Sequence, residues 1–162
     1  MDSIDARLRE HGLTLPDLAP THEFVAVKLL GDIAFVSGHA PFDKGMFRFV
    51  GSVGDDHDLE QARLAAREAL LGCLSSLRHH LGSLDRVTDI VKMNGYVKCG
   101  PYFPLLPRVT DGASTLLRDL WGERGRHART TVGVAELPAG VAVEIELVVK
   151  VALPPAAPDT TT

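Results

Sequence analysis

Cysteine is scarce in this sequence. Cys73 and Cys99 are the only two among 162 residues, and neither belongs to a CxxC pair or to a Cys/His spacing typical of metal sites. Neither a disulfide framework nor a zinc site is indicated, and two reduced thiols are the simpler interpretation. The seven histidines are scattered, apart from the adjacent His79 and His80, so we expect no metal site.

Long apolar runs are also absent from the sequence. No stretch of about 18 apolar residues exists to cross a bilayer. The first residues, MDSIDARLREHG, are charged where a secretory signal would need an apolar segment. We therefore expect a cytosolic protein with no membrane partner.

Positive charge is not in excess. The 17 Lys and Arg residues are outnumbered by 21 Asp and Glu residues, which gives a formal net charge of −4. Because polyanion binding draws its free energy from Lys and Arg that release counterions, we expect no nucleic-acid partner. One local exception is a basic cluster, Arg124, Arg126, His127 and Arg129, which suits a small anion better than a duplex.

Familiar catalytic and cofactor motifs are missing as well. The sequence contains no GxSxG nucleophile elbow, no GxxxxGK[ST] phosphate loop and no GxGxxG after a strand. No nucleotide cofactor is therefore implied.

What is present fits one domain. A length of 162 residues and an apolar share of 45% are sufficient for one hydrophobic core. We divide the chain into an N-terminal arm (1–21) with a short helix at 3–11, a folded domain (22–152) and a tail (153–162). The PPAAPDTTT composition of the tail predicts disorder.

Hydrophobic periodicity predicts the element order β-β-α-β-α-β-β. The predicted strands are 24–29, 33–37, 88–98, 129–135 and 141–152. A leucine stripe that Asp58 can cap and Gly82 can end predicts a long helix at 59–81, and a second helix is expected at about 104–121. The stretch 38–54 is expected to be loop with one short strand at most. Two helices that cover one face of a single sheet make an α+β two-layer sandwich.

The last strand divides its side chains between two faces. Alternation places apolar residues on one face and Glu144 and Glu146 together on the other. That second face also carries Val148 and the small Ala142. We therefore expect another subunit to cover part of it.

Arg129 and Glu144 form the candidate catalytic pair. A hairpin that turns at 137–140 would pair the last two strands and bring these side chains together or a few residues apart. Arginine offers a planar fork of donors to a carboxylate, and glutamate accepts a proton or orients a water molecule. The alternative, which the pattern alone favours, is a surface salt bridge that contributes roughly 0–1 kcal/mol. His39, in the loop after Ser37-Gly38, is either a pocket residue or a solvated histidine.

Three short motifs carry a family resemblance. They are ARTTV at 128–132, ELP at 136–138 and VEIE at 143–146. With these motifs the sequence resembles the Rid (YjgF-type) family of reactive-intermediate deaminases, and FVSG at 35–38 is similar to the family's strand-end SG motif. The resemblance covers about 22–152. The N-terminal arm is additional and resembles a less studied branch.

The resemblance implies a chorismate-mutase-like domain that forms a homotrimer with three clefts between subunits. It also implies hydrolysis of small 2-imino acids to 2-keto acids and ammonia without a cofactor. In that scheme Arg129 pairs with the substrate carboxylate, and Glu144 positions the water. Ser37 and Gly38 line the pocket.

Three further positions of the expected substrate pocket depart from the best-characterised members. Phe24 stands where those members have Tyr, Thr131 stands where they have Cys, and His39 stands where Gln is common. Two alternatives to the deaminase stay open. One is a non-catalytic carboxylate-binding or regulatory module, and the other is a ribonuclease, which the acidic balance disfavours.

Overall fold

The structure is a computed structural model that describes residues 3–18, 21 and 23–153. The predicted disordered tail lies outside the described residues except for Leu153. No helix in the described ranges is long and apolar enough to span a bilayer. The same ranges bring no three His, Cys, Asp or Glu side chains together as a metal site would require.

The described chain contains three α-helices, seven strands and three short 3-10 segments. The helices are α1 (Ile4–Glu10), α2 (Leu59–Leu81) and α3 (Leu106–Trp121). The strands are β1 (Val27–Leu30), β2 (Ile33–His39), β3 (Phe42–Asp43), β4 (Met46–Phe47), β5 (Val87–Lys98), β6 (Ala128–Val134) and β7 (Val143–Val151). The stretch expected to be mostly loop therefore contains two short strands, which pair with each other.

The main sheet has five strands in the order β1-β2-β7-β5-β6. The β5–β6 pair is parallel, and the other three pairs are antiparallel. Helices α2 and α3 pack on one face of this sheet, where Ile145, Leu147 and Val149 of β7 are buried. The expected α+β two-layer sandwich is confirmed, with α1 as an added element.

The expected hairpin between the last two strands is wrong. Strand β6 pairs in parallel with β5, and β5 separates β6 from β7. The connection crosses the end of β5, because the Ala142 carbonyl accepts from the Lys98 amide at 2.9 Å and the Ala142 amide donates to the Phe49 carbonyl at 2.7 Å. The turn expected at 137–140 is present, since the Gly140 amide donates to the Leu137 carbonyl at 2.9 Å, but the strands on either side of it do not pair with each other.

Helix α2 has the predicted bounds. The Asp58 carboxylate accepts from the Gln61 amide at 2.8 Å, and the Gln61 side chain accepts from the Asp58 amide at 3.0 Å, which completes a capping box. Gly82 ends the helix with a φ of 82°, a left-handed conformation that glycine adopts without strain.

Helices α2 and α3 approach each other closely at Gly112. A Cβ atom added at Gly112 would overlap the backbone carbonyl of Arg63 on α2. A backbone atom cannot rotate away as a flexible side chain can. The missing side chain at Gly112 therefore sets the spacing of the two helices and fixes where α3 lies over β5 and β6.

We predict that Gly112→Ala destabilises the fold by about 1–3 kcal/mol, because overpacking outweighs the better helix propensity of alanine. Urea unfolding measures the change. The matched control is Thr115→Ala, an exposed position on the same helix that gains propensity without added atoms. Equal or higher stability of Gly112→Ala would show that the helices can separate at no cost.

Candidate functional site

Arg129 and Glu144 lie on opposite faces of the sheet. Arg129 of β6 is level with Met93 on the helix-covered face, and Glu144 of β7 is level with Tyr96 on the open face. Strand β5 lies between them. The expected side-by-side placement on paired strands is therefore wrong within a single chain, and two separate clusters form.

Arg129 is anchored to helix α3. Its Nη1 group donates to Asp111 Oδ1 at 2.9 Å and to Ser114 Oγ at 3.0 Å, and its side chain is 25% exposed. Its Nε and Nη2 groups donate no hydrogen bond to any of the described residues. Two donors on one edge of the guanidinium plane therefore remain, and their spacing suits the two oxygens of a carboxylate.

His127 continues the polar chain behind Arg129. Its Nδ1 lies 2.7 Å from the Gly125 carbonyl and its Nε2 lies 3.1 Å from Ser114 Oγ. Burial lowers the pKa of His127, the bond to the Gly125 carbonyl opposes this, and the charge of Arg129 lowers it further. A neutral ring that donates through Nδ1 accepts at Nε2, so the Ser114 hydroxyl donates to His127 and accepts from Arg129.

Thr131 follows Arg129 on the same face of β6. Its hydroxyl lies 2.7 Å from that of Thr110 on α3, and the Thr110 hydroxyl donates to the Pro107 carbonyl at 3.2 Å. Thr131 is therefore the donor in this pair. Its role as a substrate-binding residue stays a prediction, since the hydroxyl already has a partner inside the chain.

A cleft of about 740 Å³ opens beside the Arg129 cluster. Helix α3, the segment that joins α3 to β6, the start of β6 and one residue of α2 form its walls. Its charged lining is Arg63, Arg108, Asp111, Arg118, Glu123, Arg126 and Arg129. The cleft is rich in arginine although the chain as a whole is acidic.

The second cluster surrounds Glu144 on the open face. The pairing of β2 with β7 shifts register between Val36 and His39, and this irregularity contains Ser37 and Gly38. A Cβ atom at Gly38 would overlap Glu144 Oε1, so the carboxylate lies directly on the glycine backbone. Ser37 donates its hydroxyl to the Val25 carbonyl at 2.8 Å.

Phe24 completes this end of the sheet. It directly precedes Val25, the partner of Ser37, and it is 59% exposed. The structure therefore brings three of the predicted residues, Ser37, Gly38 and Glu144, together at one end of the open face, and Phe24 is next in sequence to the partner of Ser37.

Glu146 lies beside Glu144 on the open face and is held by β5. It accepts from Asn94 Nδ2 at 2.5 Å and from the Tyr96 hydroxyl at 3.1 Å. Burial raises the pKa of Glu144, and the neighbouring Glu146 raises it further. Glu144 is thus a carboxylate with an increased tendency to take up a proton. Sequence reasoning missed Asn94 and Tyr96, although both alternate with buried residues in β5.

His39 follows the Glu144 cluster in sequence, but its side chain is on the helix-covered side of the sheet. Its Nδ1 is 2.7 Å from the Ser37 carbonyl, its Nε2 is 2.7 Å from Ser76 Oγ, and its ring packs against Gly72 of α2. Burial lowers the pKa of His39. These contacts tie the end of β2 to α2, and a role in substrate binding stays a prediction.

Comparison with known proteins agrees with this architecture. Residues 5–149 match the family model described as "YjgF/chorismate_mutase-like, putative endoribonuclease". The chain belongs to the YjgF/Rid family. The matched range includes residues 5–21 of the N-terminal arm.

Three similar proteins show how far the similarity extends. "Protein TCP17" of Trypanosoma cruzi is 37% identical over 149 residues, which are 91% of this chain and 93% of that protein. The crystal structure of Atu1372 from Agrobacterium tumefaciens is 36% identical with a TM-score of 0.87, over 94% of this chain and 95% of that one. The crystal structure of a "putative endoribonuclease" from Shewanella oneidensis is 26% identical with a TM-score of 0.89. The match covers 93% of this chain and 100% of that one.

The raised pKa of Glu144 predicts a pH-dependent stability. Between the unfolded and the folded pKa, the folded chain binds more protons, so the free energy of unfolding falls as pH rises through that window. We expect Glu144→Gln to be more stable than wild type at pH 7. The two should be equal well below 4.5, the ordinary value for glutamate.

Urea unfolding at both pH values measures this difference. The control is Glu10→Gln, which removes an exposed carboxylate at the end of α1 and should change stability by less than about 0.5 kcal/mol. A Glu144→Gln variant less stable than wild type at pH 7 would mean that the charged carboxylate stabilises the fold.

Proposed function

We propose that this YjgF/Rid protein hydrolyses small 2-imino acids to 2-keto acids and ammonia in a cleft shared by two copies of the chain. One copy supplies Arg129, and the neighbouring copy supplies Glu144. The observation that carries this proposal is the placement of the two residues on opposite faces of one sheet. Within one chain they cannot reach the same small molecule, whereas two copies can present them to each other.

The Arg129 cluster supports the substrate-binding half of the proposal. Its Nε and Nη2 donors face a carboxylate as a bidentate fork, while Asp111 and Ser114 hold Nη1 in a fixed orientation. A fixed fork holds the imine carbon of a 2-imino acid at a defined distance, because that carbon is bonded directly to the carboxylate carbon.

The Glu144 cluster supports the chemical half. As water attacks the protonated imine carbon, the Glu144 carboxylate takes one water proton and a carbon–oxygen bond forms. The resulting carbinolamine collapses to the keto group when the carbon–nitrogen bond breaks. Glu144 returns the proton to the departing nitrogen, and the hydroxyl proton that is lost as the keto group forms passes to the released ammonia, so ammonium leaves and the carboxylate is regenerated. A raised pKa suits a group that must both take and give a proton.

The open face supports the assembly. Phe35 and Val132 on this face are 46% and 41% exposed, although each belongs to a strand of the main sheet. Such a sheet face is stable when another surface covers it. A homotrimer covers the open face and places neighbouring copies beside the edge strand β6, as the family resemblance implies.

We predict that Arg129→Ala and Glu144→Gln each lower the hydrolysis rate of freshly generated 2-iminopropanoate by about 100-fold or more. Ammonia release, corrected for the uncatalysed rate, measures the loss. Arg129→Lys keeps the charge without the fork and should fall between Ala and wild type. Sedimentation velocity confirms that each variant keeps the assembly of the wild type. Wild-type rates in both variants would remove the proposed mechanism.

Complementation tests whether the site is shared. In mixed assemblies of Arg129→Ala and Glu144→Gln chains, about a quarter of the clefts combine an intact Arg129 with an intact Glu144 from the neighbour. We expect rehybridised mixtures to recover activity that neither variant has alone. Recovery does not occur if each site lies within one chain, because every chain then carries a defect.

The ion pair between Arg129 and Asp111 favours a second candidate, a non-catalytic carboxylate-binding module. Asp111 occupies part of the guanidinium at 2.9 Å and competes with an incoming anion. Binding of 2-oxobutanoate that is lost in Arg129→Ala, without turnover of any imine in a panel, would support this candidate over the hydrolase.

A further inference from the structure

The cleft beside Arg129 contains more positive charge than a single carboxylate requires. Five arginines and two carboxylates line it, which is a formal excess of three positive charges on a chain whose net charge is −4. His127 adds none at neutral pH, because its burial lowers its pKa. Like charges gathered in a concave surface repel each other unless an anion neutralises them.

The two carboxylates of the cleft account for three of the five arginines. Asp111 pairs with Arg129 at 2.9 Å and with Arg108 at 3.5 Å, and Glu123 pairs with Arg126 at 3.4 Å. The remaining two are Arg63 of α2 and Arg118 of α3. Their side chains form no hydrogen bond or ion pair with any residue that the structure describes.

The positions of Ser114 and Arg118 on α3 set the distance between the two cationic parts of the cleft. Ser114, which contacts Arg129, and Arg118 are four residues apart on one face of the helix. They are therefore separated by one turn, about 6 Å along the axis. Arg63 faces the same cleft from the opposing helix. The cleft thus offers one cationic position at Arg129 and a second position one turn further along.

We propose that the cleft takes a small acid with two anionic groups. The carboxylate binds Arg129, and a second carboxylate or a phosphate binds Arg118 and Arg63. This inference rests on the proposed function and specifies its substrate class. A five-carbon dicarboxylate or a phosphorylated three-carbon acid spans one helical turn, whereas a two- or three-carbon monocarboxylate leaves Arg118 and Arg63 unneutralised.

Calorimetry with matched stable analogues tests the proposal. The first pair is 2-oxoglutarate against 2-oxopentanoate, which differ by a second carboxylate. The second pair is 3-phosphoglycerate against glycerate, which differ by a phosphate. In at least one pair we expect the dianion to bind about tenfold more tightly, the effect of one charge-assisted contact. The pair with the larger ratio identifies the second group.

Variants locate the second group. We expect Arg118→Ala to abolish the advantage of the dianion while the monocarboxylate affinity stays within about twofold, and Arg118→Lys to keep part of it. Arg129→Ala should weaken both members of a pair. The control is Arg9→Ala, which removes an equal charge at an exposed position of α1 outside the cleft and should change neither affinity.

Three outcomes separate the inference from the proposed function. Equal binding of both members of both pairs, with dependence on Arg129, overturns the dianion and leaves the hydrolase intact. If the compound with two anionic groups still binds more tightly in Arg118→Ala, the proposed binding of the second group at Arg118 is wrong. Affinities that are unaffected by Arg129→Ala overturn the inference together with the proposed carboxylate site.

Discussion

The central position of β7 is the constraint on which the rest of the molecule depends. Both neighbours of this strand are antiparallel to it, so its alternation assigns Ile145 to the helix-covered face and Glu144 to the open face. Through β5 the same register fixes Arg129 on the helix-covered face of β6. A shift of one residue in either pairing would exchange these faces and bury a carboxylate under α2.

Desolvation and like charge then set the chemistry of the two clusters. On the open face, Glu146 accepts hydrogen bonds from Asn94 and Tyr96. Burial raises the pKa of Glu144, and the negative charge of Glu146 raises it further. On the other face, Asp111 prevents Arg129 from being an unpaired partly buried charge. The same ion pair weakens ligand binding, because a ligand carboxylate must share the Arg129 guanidinium with Asp111.

Sequence periodicity predicted the local parts of this arrangement and missed the long-range parts. The bounds of α2 follow from Asp58, Gly82 and the leucines between them, all of which act within one helix. The placement of β6 beside β5, and of β5 between β6 and β7, depends instead on contacts between distant parts of the chain, which the turn-like segment 137–140 does not reveal. The motifs identify Arg129 and Glu144. Their placement on opposite faces of the sheet depends on the strand order, which no local sequence pattern encodes.

A site divided between two copies couples substrate binding to the state of the base. In the proposed cleft, an unliganded Arg129 near the neighbour's Glu144 lowers the pKa of that carboxylate and weakens it as a base. A bound substrate carboxylate neutralises Arg129 and restores the raised pKa that burial and Glu146 impose. Neutralisation of Arg129 by the substrate carboxylate therefore favours proton uptake by Glu144, and the positive charge of the protonated imine opposes this uptake until water has added. The same coupling is impossible in a single chain, where β5 and the thickness of the sheet separate the two groups.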